Sequence, residues 1–506
     1  MQQQHFQLTA AVLATAVLVG CGGGSDDVQS RGSLLADPNR VPVTQMDGTA
    51  TTTIAPAQFG QILEATHPGL TKITGAPKCA ISVYNIKYAT VGGAGESTDS
   101  TGAILVPSGS DAACSGPRPV VLYAHGTETD KAFNMANIRD FFQASVPAAT
   151  YAAQGFIVVA PNYAGYGTSS LTYHPYLNAE QQASDMVDGM RAARQAFSAI
   201  GAQPSNKLLI TGYSQGGHVS MATQRAMQTT YASEFQATAL ASGAGPYAMS
   251  MVSDAVFAGS PLMLGTVFLP MTFTSYQKSY GGLYASPSDL YESPYANGIE
   301  SLLPSPGATI TNLLATGKLP AAALFAADSL PGPSAPEFAP YFGPGNLIKS
   351  SFRTSYLLDA AQNPCNTATG MPTSCTPAHP LRKAMVKNDL RTYVPNVPTM
   401  LCGGNADPVV FSKNTQAAEA YFLAKGMPRS LLTVLDVDSA PSGPNDPFAA
   451  VKAGFSQAKT ETFNAAVAAN ADPAQAVAFA YHPFLVYPLC EVAARSYFQN
   501  VLAAQP

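Results

Sequence analysis

Between residues 119 and 244 the chain alternates between two hydrophobic periods. Pro119-Val120-Val121-Leu122-Tyr123-Ala124 and Phe156-Ile157-Val158-Val159-Ala160 are apolar without alternation, as strands buried on both faces require. From Asn178 to Ile200, Ala, Met, Val and Phe recur at helical spacing, and the short run Leu208-Leu209-Ile210 follows. Ala237 to Ala244 reads as a further strand. Strand, helix, strand, helix in this order predicts a doubly wound, mostly parallel α/β sheet. Upstream, Ala80–Tyr88 alternates apolar and polar, and Thr101–Pro107 can pair with it across the Gly92–Gly95 turn, which predicts an antiparallel edge.

The pattern breaks from Met249 to Tyr393. This stretch is rich in Pro, Gly, Tyr and Phe and is too long for a loop in a compact domain, so a large inserted cap is expected over 249–393. The core is then split into 56–248 and 394–506, with the sheet resuming at Pro398–Cys402 and Leu431–Leu435 and a terminal helix from Cys490 to Leu502. No internal repeat, P-loop or dinucleotide fingerprint interrupts this reading.

Composition changes the picture in three ways. Charged residues make up only 11% and the net charge is −5 with no basic run, so there is nothing to neutralise a phosphate backbone and no nucleic-acid partner is expected. Leu8–Gly20 is an apolar run of signal-peptide length, too short to span a membrane, and it ends in Leu18-Val19-Gly20-Cys21. That ending resembles the lipobox of bacterial lipoproteins, which implies a signal over 1–21, a lipidated Cys21 and a tether over 22–55. The n-region lacks Lys and Arg, so an ordinary signal cut after Ala14-Thr15-Ala16 stays open; either route exports the chain. Of the 7 cysteines, setting Cys21 aside leaves Cys79, Cys114, Cys365, Cys375, Cys402 and Cys490, which fit three disulfides. Fifteen connectivities are possible, and neighbourhood in the expected fold favours Cys79–Cys114, Cys365–Cys375 and Cys402–Cys490. No Cys-x-x-Cys or His/Cys ligand spacing occurs, so no metal site is expected, and without a P-loop or dinucleotide fingerprint no organic cofactor is expected either.

The chemistry concentrates at Gly212-Tyr213-Ser214-Gln215-Gly216, which follows a strand and opens a helix. This is the G-x-S-x-G pattern of a nucleophile elbow, where a serine on a sharp turn needs small residues two positions either side. A serine hydroxyl needs a base oriented by a carboxylate. Asp407 follows the strand Pro398–Cys402 and a Gly403-Gly404-Asn405-Ala406 turn, at the carboxyl end of the sheet where ligands gather; the alternative is an Asx-turn aspartate. For the base, His379 precedes Asp407 and violates the Ser, Asp, His chain order, whereas His482 in Ala480-Tyr481-His482-Pro483-Phe484 obeys it. Oxyanion donors are expected from the Gln215 and Thr127 N–H groups, with His125 shaping the Tyr123-Ala124-His125-Gly126-Thr127 turn.

With these motifs in place, together with Pro161-Asn162-Tyr163-Ala164-Gly165-Tyr166-Gly167-Thr168, the chain resembles exported α/β-hydrolases of the lipase and esterase type. It is most similar to the secretory lipases of the Candida lipase A kind and their bacterial relatives, over most of 75–250 and 380–500. The resemblance implies an α/β-hydrolase fold, a carboxylic ester hydrolase acting on an ester or lipid through Ser214, Asp407 and His482, and a monomer, lipid-anchored or secreted. The alternatives are a serine peptidase on the same fold and a non-catalytic surface module. The apolar cap segments Pro261–Pro270 and Ala321–Ala326 are expected to line an acyl pocket.

Overall fold

A computed structural model describes residues 30–504 of the protein. The signal segment and Cys21 lie outside the described residues. Strands β1 (Ala80–Val91) and β2 (Ser97–Ser108) form the expected antiparallel hairpin, with Tyr84 opposite Ile104. They are followed by β3 (Arg118–Ala124), β4 (Ile157–Pro161), β5 (Pro204–Tyr213), β6 (Ala239–Gly243), β7 (Thr399–Gly403) and β8 (Leu432–Asp436). The spatial order is β1-β2-β4-β3-β5-β6-β7-β8, antiparallel across β2 and β4 and parallel from β4 onward. The apolar runs without alternation are the central strands: every residue of β4 and β6 is buried. This is the mostly parallel, doubly wound sheet of an α/β-hydrolase.

The helices that place the site are α1 (Phe142–Thr150), α2 (Ala179–Ala196) and α3 (Gln215–Thr229). The Asn178 carboxamide caps α2 by accepting from Gln181 N–H, which explains why the helical pattern starts there. Strand β5 runs between β3 and β6, with Ile210 opposite Leu122 on one side and Leu240 on the other. The serine that follows β5 therefore emerges from the middle of the sheet at its carboxyl edge.

Residues 249–393 contribute no strand to the sheet; they form a helical layer that includes α4 (Met249–Phe257), α5 (Gly265–Tyr280), α6 (Ser350–Gln362) and α7 (Pro380–Lys387). The layer has its own apolar core, with Phe257, Phe273, Tyr276, Phe325 and Tyr356 buried together. Leu324 and Phe325 belong to that core, so the buried part of Ala321–Ala326 fills the layer's interior, and none of the segment lines the cavity over Ser214. Three fully buried arginines stiffen this region through partners of opposite charge or carbonyls: Arg382 pairs with Asp254 and Asp359, Arg391 with Asp389, and Arg353 donates to the carbonyls of Phe257 and Pro331.

Two readings of the chain's ends need correction. The tether expected over 22–55 does not describe residues 30–55, because Arg31 pairs with buried Asp188 at 3.0 Å, Asn39–Val41 adds antiparallel to β1, and Ile54 is fully buried. A single deeply placed carboxylate and a few apolar side chains suffice to tie this stretch down. The terminal helix, expected from Cys490, starts three residues earlier, and His482 sits in a π-helical turn, Tyr481–Val486, between α10 (Pro473–Ala480) and α11 (Tyr487–Ala504), which follow α8 (Lys413–Ala424) and α9 (Ala449–Ala468).

Helix α11 packs beneath the sheet and buries Glu491, whose carboxylate accepts a 2.6 Å bond from Tyr151 Oη. Burial pushes its pKa up to about 8 from 4.5. The folded state then holds a proton that the unfolded state has released, so Glu491 weakens stability as pH rises through the window from 4.5 to about 8. Glu491→Gln is expected to remove on the order of 4 kcal/mol of this decline while keeping an acceptor for Tyr151. Urea midpoints at pH 5 and pH 8.5 check it; an unchanged pH slope in the variant counts against a buried neutral carboxyl.

Candidate active site

Ser214 has φ 61° and ψ −121°, a strained conformation for a side-chain-bearing residue. The strain is possible because its neighbours are glycines. A Cβ on Gly212 would fall on the carbonyl oxygens of Gly216 and Ala124, and one on Gly216 would fall on the Ala124 carbonyl. The Ser214 N–H is held by the Gly243 carbonyl of β6 at 2.9 Å. Its side chain thus stands at the start of α3, at the positive end of the helix dipole.

His482 and Asp407 meet beside it. His482 Nδ1 lies 2.6 Å from Asp407 Oδ2, with both side chains buried. The other oxygen, Oδ1, accepts from Val409 N–H at 2.9 Å and Val410 N–H at 3.0 Å. Asp407 is therefore both an Asx-turn residue and the partner of the histidine, one oxygen for each, which fixes the carboxylate plane. Nδ1 facing a carboxylate carries the proton, which leaves a lone pair on Nε2. Nε2 is buried and has no hydrogen-bond partner, so no bond to Ser214 Oγ is made among the described residues.

Two tyrosines and a disulfide hold the pair. Tyr213 Oη donates to the His482 carbonyl at 2.8 Å. Tyr481 Oη accepts from Ala406 N–H at 3.1 Å and donates to Asp438 Oδ2 at 2.7 Å, and Asp438 pairs with Lys459 of α9 at 2.9 Å. The residue before the histidine is thereby bonded to the residue before the aspartate. Disulfides join Cys79 to Cys114, Cys365 to Cys375, and Cys402 to Cys490, the last linking the end of β7 to α11. Tyr213 was visible only as the variable position of the elbow motif, and Tyr481 only as the neighbour of a histidine, so pattern reading assigned neither a task.

Thr127 and Gln215 line the same cavity as Ser214, and their backbone N–H groups have no partners among the described residues. The Gln143 carboxamide explains why it is Thr127 and not Gly126 that remains free. Its Oε1 accepts from Gly126 N–H at 2.7 Å and its Nε2 donates to the Thr127 carbonyl at 3.1 Å. Gln143 carries no sequence signal, since it lies near the start of a short helix that matches no motif. His125 stacks on Tyr163 at 4.1 Å with its ring nitrogens facing the Gly126 and Asn162 carbonyls, and burial pushes it down to about 4. His379 sits apart, against Phe352 and Tyr356 of the helical layer.

A cavity of about 80 Å³ opens over Ser214, Gln215 and Thr127 and is walled by Met249, Val252, Val256, Phe257, Leu262, Phe268 and Leu269. The segment Pro261–Pro270 thus supplies part of its wall. A larger cavity of about 710 Å³ lies between residues 66–73, α9 and Phe484, but Ser214, Gln215 and Thr127 do not touch it. Ser214 opens only into the smaller of these two.

The sequence profile of the secretory lipase family matches residues 146–270, less than half of the chain but including the elbow. The rice cell wall degrading esterase LipA from Xanthomonas oryzae, in a ligand-bound form, is 26% identical and superposes with a TM-score of 0.69, covering 94% of this chain and 100% of its own. A hydrolase from Legionella pneumophila, at 17% identity and a TM-score of 0.63 over 92% of this chain and 97% of its own, shares the fold. Candida antarctica lipase A superposes at a TM-score of 0.49 and 12% identity over 81% of this chain and 78% of its own, a distance at which nothing is carried over. No curated protein matches the sequence. The chain is an α/β-hydrolase of the lipase and esterase type, a carboxylic ester hydrolase.

The Cys402–Cys490 bond spans 88 residues that include Asp407 and His482. Replacing both cysteines by serine is expected to lower stability by roughly 4–5 kcal/mol in the chain-entropy description and to reduce kcat under conditions where the variant is still folded. Urea denaturation with parallel turnover assays checks it; full turnover in the folded variant shows that Tyr481 and Tyr213 hold the pair unaided.

Proposed function

We propose that this ester hydrolase acts through Ser214, His482 and Asp407, with the Gln215 and Thr127 N–H groups as the oxyanion hole. The observation that carries this reading is the buried 2.6 Å His482–Asp407 contact, packed against Tyr213, next to a strained serine that lines one cavity with Gln215 and Thr127, whose N–H groups are unengaged. In the first half-reaction Ser214 Oγ attacks the ester carbonyl while His482 Nε2 takes the hydroxyl proton. Asp407 stabilises the imidazolium, and the developing oxyanion is met by the two N–H groups. The imidazolium returns the proton to the departing alcohol, leaving an acyl group on Ser214. Water, deprotonated by the same Nε2, then releases the acid. All of these groups come from one chain, in keeping with a monomeric enzyme.

Residues 249–393 are proposed to act as a cap that binds the acyl chain, because Met249, Val252, Phe257, Leu262 and Phe268 wall the cavity above the serine. The cavity is small, with room for roughly half a dozen water-sized groups, so it suits short to medium acyl chains unless the cap moves. Export is expected of the secretory lipase family. We further propose that the route is a lipoprotein signal with Cys21 as the anchored residue, on the strength of Leu18-Val19-Gly20-Cys21. Detergent phase partition of a Cys21→Ala variant tests the anchor, and unaltered partition removes it.

Ser214→Ala or His482→Ala is expected to lower kcat by about a million-fold, since members of such a triad act as a unit, while His379→Ala leaves turnover near its original value. Retained turnover in His482→Ala with loss in His379→Ala reverses the assignment of the base. On p-nitrophenyl esters, kcat/KM is expected to rise about fourfold per added CH₂ and to level off at roughly six carbons. Val252→Phe should move the plateau to shorter chains. An unmoved plateau places the acyl chain outside this cavity.

A further inference from the structure

The segment between β4 and α2 touches both oxyanion donors. His174 and Tyr176 are two residues apart on it and are both buried. The Gln215 carboxamide Nε2 donates to His174 Nε2 at 2.7 Å, and Thr127 Oγ1 and Tyr176 Oη share a 2.8 Å hydrogen bond.

The chemistry of the first contact admits one arrangement. His174 Nδ1 lies 3.0 Å from the Ala164 carbonyl, which can only accept, so Nδ1 bears the proton. Nε2 is then a lone pair that must be met by an N–H, and the Gln215 carboxamide nitrogen at 2.7 Å meets it more closely than that of Gln182 at 3.5 Å, which leaves Gln215 Oε1 buried without a partner. Burial pushes His174 down to about 3, so this arrangement holds across the working range of an enzyme. The support behind the ring is equally fixed. Ala164 N–H donates to buried Asp185 at 2.6 Å, Tyr163 lies parallel to the His174 ring, and Gly165 at φ 95° lets the backbone approach the Tyr173 carbonyl where any Cβ would collide.

The segment is also tied to the helical layer above. Leu177 has φ 54°, and its carbonyl accepts from Tyr276 Oη of α5 at 3.1 Å. The Asn178 carboxamide donates to Ser279 of the same helix at 3.1 Å.

We propose that residues 174–177 form a clamp that positions the oxyanion hole, His174 holding Gln215 and Tyr176 holding Thr127, with α5 anchoring the clamp from the cap side. His174 and Tyr176 are positioning residues in this account, acting through the backbone of the residues they grip. The inference rests on the reading of Ser214 as nucleophile and of Gln215 and Thr127 as donors. Its physical content is that each donor gains a side-chain restraint beyond those of its own turn, which for Thr127 is held by Gln143. Gln215 opens a helix and Thr127 lies in a loop, and a donor displaced from the oxyanion loses transition-state binding without loss of ground-state binding.

The test uses a soluble p-nitrophenyl ester together with diethyl p-nitrophenyl phosphate, whose reaction with the serine develops charge on the phosphoryl oxygen. Tyr176→Phe, which preserves shape, is expected to lower kcat about three- to tenfold with KM unchanged. His174→Leu should lower it about ten- to a hundredfold, a part of what removal of an oxyanion donor costs, and His174→Gln, which can still accept from Gln215, should recover part of the loss. Both should slow phosphorylation in proportion to kcat. Gln215→Ala combined with His174→Leu should be no slower than Gln215→Ala alone, because the two changes remove one contact.

If His174→Leu does not fold, Tyr176→Phe and Gln215→Ala carry the test. Phosphorylation at Ser214 at an unchanged rate in Tyr176→Phe and His174→Leu, or losses confined to KM, overturns the clamp. Phosphorylation of the parent protein at a residue other than Ser214 overturns the reading of the nucleophile instead, so the two failures are told apart by peptide mapping.

Discussion

The rest of this structure depends on one tight backbone contact, where α3 starts against the carboxyl end of β3. Gly216 passes so close to the Ala124 carbonyl that no Cβ fits, and Gly212 is hemmed in by the same carbonyl. That approach bends the chain sharply after β5 and forces Ser214 to positive φ. Backbone strain of this kind costs on the order of 1–3 kcal/mol and persists only where the surroundings over-determine it. Here β5 is paired on both sides, and Ser214 N–H is itself bonded to β6. The position of the hydroxyl is set by the whole central sheet.

The remaining groups reach the serine from distant stretches of chain, and each needs its own restraint. Asp407 is restrained locally, by two N–H donors from its own turn. His482 is restrained from three directions: the carboxylate on Nδ1, Tyr213 on its carbonyl, and the disulfide that draws α11 to β7. A π-helical turn carries it, a form common at functional positions because the extra residue re-aims a side chain out of the helical register. The price of this design is a buried carboxyl on the same helix, Glu491, that has a hydroxyl for a partner and no cation.

The fold was legible in the sequence because its signals are local. Unbroken apolar runs mark the parallel strands, alternation marks the antiparallel edge, and Asn178 marks the start of α2. The pairing of His482 with Asp407 was legible for a related reason, since strand ends and chain order constrain where the proposed nucleophile, acid and base can stand. What could not be read is what depends on side chains meeting across the sheet. Gln143 reaches Gly126 and Thr127 from α1, Tyr481 reaches Ala406 across 75 positions, and His174 meets Gln215 across 41, none with any periodic trace. The Ala321–Ala326 run shows the converse limit: an apolar stretch announces burial, but not which cavity or core it will be buried in.

The helical layer links these two levels. It has an independent apolar core and buried arginine pairs, so it can hold its shape without the sheet's side chains filling it. Yet α4 and the start of α5 supply the wall of the cavity over Ser214, while the far end of α5 grips Leu177 and Asn178 through Tyr276 and Ser279. One helix therefore touches the cavity over Ser214 with its first turns and the segment proposed to support Gln215 and Thr127 with its last. A displacement of α5 that widened the cavity would pull on the segment that holds Gln215 and Thr127. On the proposed assignments, chain-length preference and transition-state stabilisation are coupled through a rigid element, and an altered cap should change kcat as well as the profile of accepted acyl chains.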